Sequence, residues 1–297
     1  MKLKFALLNL FLGCISLLIT NTRFISNVKA EELLKVELNK EIKKGKFLIG
    51  LKQYLGGEND SFSKKKNINF ITDKGFLNLM SSNGIKHKSK QINISWVDIP
   101  IKNPKTIERI VFGPFASYES AKKQAKKLKN KGYETTVAYP KNWEVWIPFE
   151  DDLPEFELKN TIYRKIKNFQ ITPVLRSKYS VMQLEGPIYI YAQEDITING
   201  VNFGNNFYLF KDLYGTWTLV QKIEFDDYLA GVLPYEIGPN SPLEALKAQA
   251  VIARTWGIFN SDRFNMDKYH LCITTQCQVY KPPKITNKKV QKAIEAT

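Results

Sequence analysis

Ser241-Pro-Leu-Glu-Ala-Leu-Lys-Ala-Gln-Ala-Val-Ile-Ala-Arg-Thr-Trp256 is the stretch that decides how the second half of this chain folds. Leu243, Leu246, Ala250, Ala253 and Gly257 recur at helical spacing as one row of mostly small residues, which lets a helix approach its neighbour closely. Lys247, Val251, Arg254 and Ile258 form the adjacent row, with Lys247 and Arg254 two turns apart. Ser241-Pro242-Leu243-Glu244 has the spacing of a capping box with proline at the first helical position. The sequence therefore predicts a helix from Ser241 through Phe259, capped by Ser241.

Just upstream the period changes from helical to alternating. Pro187–Ala192, Asp195–Ile198 with an Asn199-Gly200 hairpin turn, Asn206–Phe210 and Gly215–Val220 read as short strands. Together with the helix they predict an α+β fold, a β-rich domain over 160–297 with a central packed helix. Between sheet and helix, Asp226-Asp227-Tyr228 reads as the cap of a short helix over Tyr228–Val232. Pro234-Tyr-Glu-Ile-Gly-Pro239 then reads as a turn that aims Glu236 at the Lys247 and Arg254 row. An aromatic, an isoleucine and two prolines around Glu236 favour its protonated form, whereas Lys247 and Arg254 favour its ionised form. The bland reading of the same residues is a surface carboxylate ion-paired with Arg254.

The first half has a clear local unit. Val111-Phe-Gly-Pro-Phe115 is strand-like, Ser117 to Ser120 opens a lysine-rich helix to Lys131, Gly132 stands where a left-handed cap belongs, and Glu134–Tyr139 is a second strand. Further strands are predicted at Phe47–Tyr54, Asn67–Thr72, Gln91–Ile99 and Ile107–Phe112, with a lysine cluster at Lys64–Lys66. This βα region occupies 47–150, and a boundary is expected near Asp151–Lys159.

Met1-Lys2-Leu3-Lys4, an apolar run from Phe5 to Thr20 and a small-residue exit at Val28-Lys29-Ala30 read as a secretory signal peptide over 1–30, followed by a charged linker over 31–46. The prediction is an exported, periplasmic or cell-envelope protein, tethered to the membrane if the signal stays uncleaved. The 297-residue chain carries a formal charge of +15; removal of Lys2, Lys4, Arg23 and Lys29 leaves +11, which suits an anionic partner. Export and a cationic complement with only six arginines argue against nucleic acid. With His87 and His270 as the only histidines, there is no His-Glu-x-x-His site and no recognisable Ser-His-acid or Cys-His machine. Carboxylate chemistry is what remains for an enzyme.

Asp227-Tyr-Leu-Ala-Gly-Val, Glu236-Ile, Pro242 through Thr255 and Thr275-Gln-Cys-Gln-Val-Tyr280 together resemble the sporulation stage II protein D and LytB (amidase enhancer) family over roughly Ile223 to Thr297. The resemblance implies a lytic transglycosylase acting on peptidoglycan glycan strands freed of stem peptides. Glu236 then stands at the family's catalytic acid, and Lys247 and Arg254 at its functional basic positions. A transglycosylase needs one carboxylate where a hydrolytic glycosidase uses two, because the muramic 6-hydroxyl replaces water. The alternatives are a non-catalytic enhancer of an N-acetylmuramoyl-L-alanine amidase and a wall-binding module. The family's domain continues in further strands, so the resemblance implies that its C-terminal part lies beyond Thr297. The unit around Val111–Tyr139 resembles half of a SPOR domain, a glycan-binding module; its bland reading is an ordinary βαβ element with a solvated lysine face.

With Cys14 in the signal peptide, a Cys272–Cys277 disulfide is the plain reading of the two remaining cysteines in an oxidising compartment. The alternative, which some family members resemble, is a structural zinc held by His270, Cys272 and Cys277. The expected chemistry itself requires no cofactor.

Overall fold

The computed structural model describes residues 38–57, 67–149, 161–177, 180–282 and 287–297. The expected signal peptide, the linker up to residue 37, Lys64–Lys66 and the boundary at Asp151–Lys159 lie outside the described residues. In chain order the strands are β1 (Lys46–Leu55), β2 (Asn67–Ile71), β3 (Leu77–Ser81), β4 (Lys86–Ser89) and β5 (Gln91–Phe115). After helix α1 (Tyr118–Asn130) come β6 (Thr136–Ala138), β7 (Trp143–Pro148), β8 (Thr161–Arg176) and β9 (Val181–Gln183). Next are β10 (Ile188–Tyr191), β11 (Thr197–Ile198), β12 (Val201–Asn202), β13 (Asn206–Lys211) and β14 (Trp217–Glu224). Helices α2 (Phe225–Glu236) and α3 (Leu243–Phe259), strand β15 (Leu271–Cys272) and helix α4 (Lys288–Glu295) complete the order.

One sheet runs β15-β1-β14-β13-β10-β3-β4; the other runs β12-β11-β2-β5-β7-β6, with β8 along β5 and β9 on β8. Strands from before residue 150 and from after residue 160 alternate within both sheets. Alternation along each strand divides the apolar residues between two cores. Phe47, Ile49 and Leu51 of β1 join Phe207, Leu209 and Leu219 in a core that also takes Ile68, Phe70, Ile92 and Ile94 of the second sheet. Tyr228, Leu229, Leu246, Ala250 and Ala253 bring α2 and α3 into it. Leu48 of β1 and Val220 of β14 point the other way, into a second core with Tyr118, Ala121, Ala125 and Leu128 of α1 and Trp143, Val145 and Ile147 of β7. The architecture is α+β, as the patterning predicts.

The Asn199-Gly200 turn has both residues at positive φ, 49° and 85°, which joins β11 to β12 as a tight hairpin. Ser117 caps α1, and its box with Ser120 is formed in both directions. Two expected strands, Gln91–Ile99 and Ile107–Phe112, prove to be parts of one 25-residue strand, β5, because β8 pairs with it on both sides of an irregularity between Pro100 and Lys105. The predicted row of small residues on α3 is the buried one: Leu246, Ala250, Ala253 and Gly257 face inward. A Cβ at Gly257 would stand 2.9 Å from Cζ of Phe47, so the glycine sets how closely α3 lies on β1.

Ser241 does not cap α3. The helix starts one residue beyond Pro242, with no side-chain cap bond, and the Ser241 hydroxyl donates to the carbonyl of Ile237 at 2.6 Å. Glu244, the other half of the expected box, pairs with Lys247 at 2.9 Å. The serine closes the connection out of α2, whose last carbonyls also lack helical partners.

Candidate active site

Helix α2 begins directly at the end of β14. Glu224 is its N-cap, without a side-chain bond, and Asp226 and Asp227 occupy the first turn, where carboxylates favour the helix dipole. The helix runs through Pro234 to Glu236 rather than stopping at Val232, so Glu236 is the last helical residue and not part of a turn. Ile237 closes the helix by donating to the carbonyl of Leu233, and Gly238 follows at φ +86° to reverse the chain into α3.

The segment Gln278–Lys281 is fastened along α2 at each residue. The Tyr228 hydroxyl donates to Oε1 of Gln278 at 3.2 Å, and the rings of Tyr228 and Tyr280 stack with centroids 5.5 Å apart. Lys281 N–H donates to the carbonyl of Gly231 at 3.1 Å. Val279 N–H donates to Oε1 of Glu236 at 3.1 Å, while the glutamate itself is exposed. Gly231 makes this approach possible: a Cβ there would lie 2.4 Å from the Tyr280 ring and 2.7 Å from the Lys281 carbonyl oxygen. Beside the carboxylate, the Lys281 ammonium sits over the Tyr235 ring, 4.8 Å from its centroid.

Neither expected cation bonds to Glu236. Lys247 holds Glu244, and Arg254 donates to Oδ1 of Asp226 at 3.2 Å and to the Thr297 hydroxyl at 3.3 Å. The reason is the fold-back of α3 on α2: about three turns into α3, Arg254 has already travelled back to the first turn of α2, away from Glu236. Sequence reasoning missed Val279 and Gly231, whose contributions come from a backbone N–H and from the lack of a side chain. The Gln276–Tyr280 stretch within the family resemblance was the available signal.

Cys272 and Cys277 form a disulfide with Cα atoms 5.7 Å apart. His270 is buried between strands, with Nδ1 accepting from the Leu48 N–H at 2.9 Å and Nε2 placed 3.2 Å from the Leu38 carbonyl. That pattern puts the proton on Nε2. Burial pushes the His270 pKa down to about 4, so the ring is neutral at pH 7. His270, Cys272 and Cys277, the residues of the zinc alternative, thus stand in this structure as a disulfide beside a buried histidine. Among the described residues no group of three or more His, Cys, Asp or Glu is placed to hold a metal ion, and no helix is long and apolar enough to cross a membrane.

Two sheets and a helical hairpin that presents a backbone-held, exposed carboxylate define an α+β protein with a carboxylate site. Residues 214–297, which contain that hairpin and the Gln278–Lys281 segment, match the family model described as Stage II sporulation protein. The chain is also similar to an uncharacterized protein of Brachyspira hyodysenteriae (strain ATCC 49526 / WA1), at 34% identity over 114 residues. That match covers 37% of this chain and spans 30% of the relative's length.

Proposed function

We propose that this chain is an exported lytic transglycosylase that cuts peptidoglycan glycan strands freed of stem peptides, with Glu236 as its single acid and base. The observation that carries the reading is the exposed Glu236 carboxylate with one oxygen fixed by the Val279 N–H. A general acid must be held by the protein yet open to substrate, and this glutamate is both. Glu236 gives its proton to the glycosidic oxygen, and the leaving sugar departs with a new hydroxyl. The muramic 6-hydroxyl attacks the anomeric carbon, closes a 1,6-anhydro ring and returns its proton to Glu236. Lys247, one turn into α3, binds substrate carboxylate or hydroxyl groups. Arg254 serves the same substrate from the Asp226 end of the hairpin. The unit around Val111–Tyr139, with its lysine-rich helix, adds contacts to the strand, and no cofactor takes part.

A second reading, an enhancer that binds a wall amidase, draws on the apolar outer side of α3, where Ile252 is 59% and Phe259 84% exposed. Exposed apolar surface beside a site suits a protein partner. Mass spectrometry of peptide-free glycan strands incubated with the chain and with Glu236→Gln decides between them. Anhydro-muramic ends from the unaltered chain alone support cleavage at Glu236; intact strands from both overturn it in favour of the enhancer.

A further inference from the structure

On the other side of α2 from Glu236, a cleft of about 520 Å³ opens between the start of that helix, the β12–β13 connection and Tyr280. Asp227 lines it and Glu236 does not. The two lie nine residues apart in one helix, about 14 Å along its axis and half a turn round it. The floor is Gln221, 1% exposed, whose Oε1 lies 3.5 Å from the Tyr280 hydroxyl. Its amide nitrogen has no acceptor among the described residues. The walls offer the carboxylates of Asp195 and Asp227, the exposed amide of Asn202 and the half-buried ring of Phe203.

The cations that border this cleft are already engaged: Lys46 holds Glu224 at 2.7 Å and Lys222 holds Glu41 at 2.7 Å. Asp195 and Asp227 have no ion-pair partner among the described residues, so the free charge of the cleft is negative within a strongly basic chain. Burial, then the neighbouring Glu224, Asp226 and Asp195, raise the pKa of Asp227, as expected of a carboxylate short of compensating donors. A ligand that answers this lining brings several hydroxyl or amide donors, an apolar face for Phe203 and no negative charge. A carboxylate-bearing muramic residue is repelled, whereas a neutral N-acetylhexosamine satisfies every wall.

We infer that this cleft is a second saccharide site, distinct from the Glu236 face, which binds a neutral N-acetylglucosamine-type unit through Asp227, Asp195, Asn202 and Gln221. The site goes beyond the proposed cleavage and does not depend on it.

The test is titration of the whole chain with N-acetylchitotetraose by isothermal calorimetry at neutral pH. The chain binds, and Asp227→Asn and Asn202→Ala each weaken binding by about tenfold, the loss of one good hydrogen bond to a charged or amide group. Both positions are exposed, so folding is retained and is checked by circular dichroism. Lys86→Ala, on the edge strand β4, leaves binding unchanged. Absence of binding by the unaltered chain, or binding that neither cleft variant weakens, overturns the inference. Cleavage assays report on Glu236 alone, so a chain that binds the tetramer but cuts nothing retires the transglycosylase and keeps the site.

Discussion

Glu236 depends on a residue that has no side chain. Gly231 lets Tyr280 and the Lys281 carbonyl lie against α2, and this contact brings the Val279 N–H to the carboxylate. In Gly231→Ala the new methyl meets a backbone oxygen and a ring that is itself stacked on Tyr228, neither of which can swing aside. Overpacking of this kind costs about 1–3 kcal/mol. The expected outcome is a lower urea midpoint together with a loss of anhydro-muramic product larger than the stability change explains, because Val279 withdraws from Glu236. Unchanged product release at full folding would show that the Val279 bond is dispensable. The sequence singles out Glu236 through the family resemblance but gives no sign of the Val279 N–H that holds it. A backbone N–H leaves no mark in composition, and the two cations chosen as its neighbours are spent on Glu244 and on the Asp226–Thr297 pair.

At the scale of elements, local rules succeeded where no second element competed. The α1 capping box forms because nothing else claims Ser117, whereas the matching pattern before α3 fails because the Ile237 carbonyl claims the hydroxyl of Ser241. The small-residue row of α3 was readable, since 3.6-residue spacing fixes the inward side whatever the partner. The β5–β8 ribbon was not, because its register is a long-range property. That register sets Lys105 directly opposite Lys167, with Lys165 and Lys211 also acting on Lys167. Like charges facing across strands are destabilising, and an opposite pair contributes roughly 0.2–1 kcal/mol. Lys105→Glu is therefore expected to stabilise the chain by about 0.5 kcal/mol at low salt, read as a higher urea midpoint that shrinks as salt screens the pair. A variant no more stable than the parent at low salt contradicts the register.

For the whole molecule, most strands were visible in the sequence but their order was not, because both sheets interleave strands from distant parts of the chain. The parallel pairing of β1 with β15 is the extreme case, and it is what buries His270. Two buried groups in this region titrate in opposite senses and shape the stability of the entire fold. The His270 pKa falls to about 4 through burial, so between pH 6.5 and 4 the unfolded chain takes up a proton that the folded chain refuses, and stability drops as pH falls. Asp267 is pushed up to about 7, because burial outweighs its bonds from the Leu213 N–H and the Tyr214 hydroxyl. Between pH 7 and 3.8 the folded chain keeps a proton that the unfolded chain has lost, so this group adds stability as pH falls. Each contributes a slope of at most about 1.4 kcal/mol per pH unit, and over pH 4 to 6.5 they oppose one another. Asp267→Asn removes one arm. Measured by urea unfolding, the variant is expected to compare best with the parent above pH 7, where the parent buries a charge, and to lose ground steadily down to pH 4 as His270 acts unopposed. A stability difference that stays constant from pH 8 to pH 4 would mean that Asp267 does not hold its proton in the folded chain.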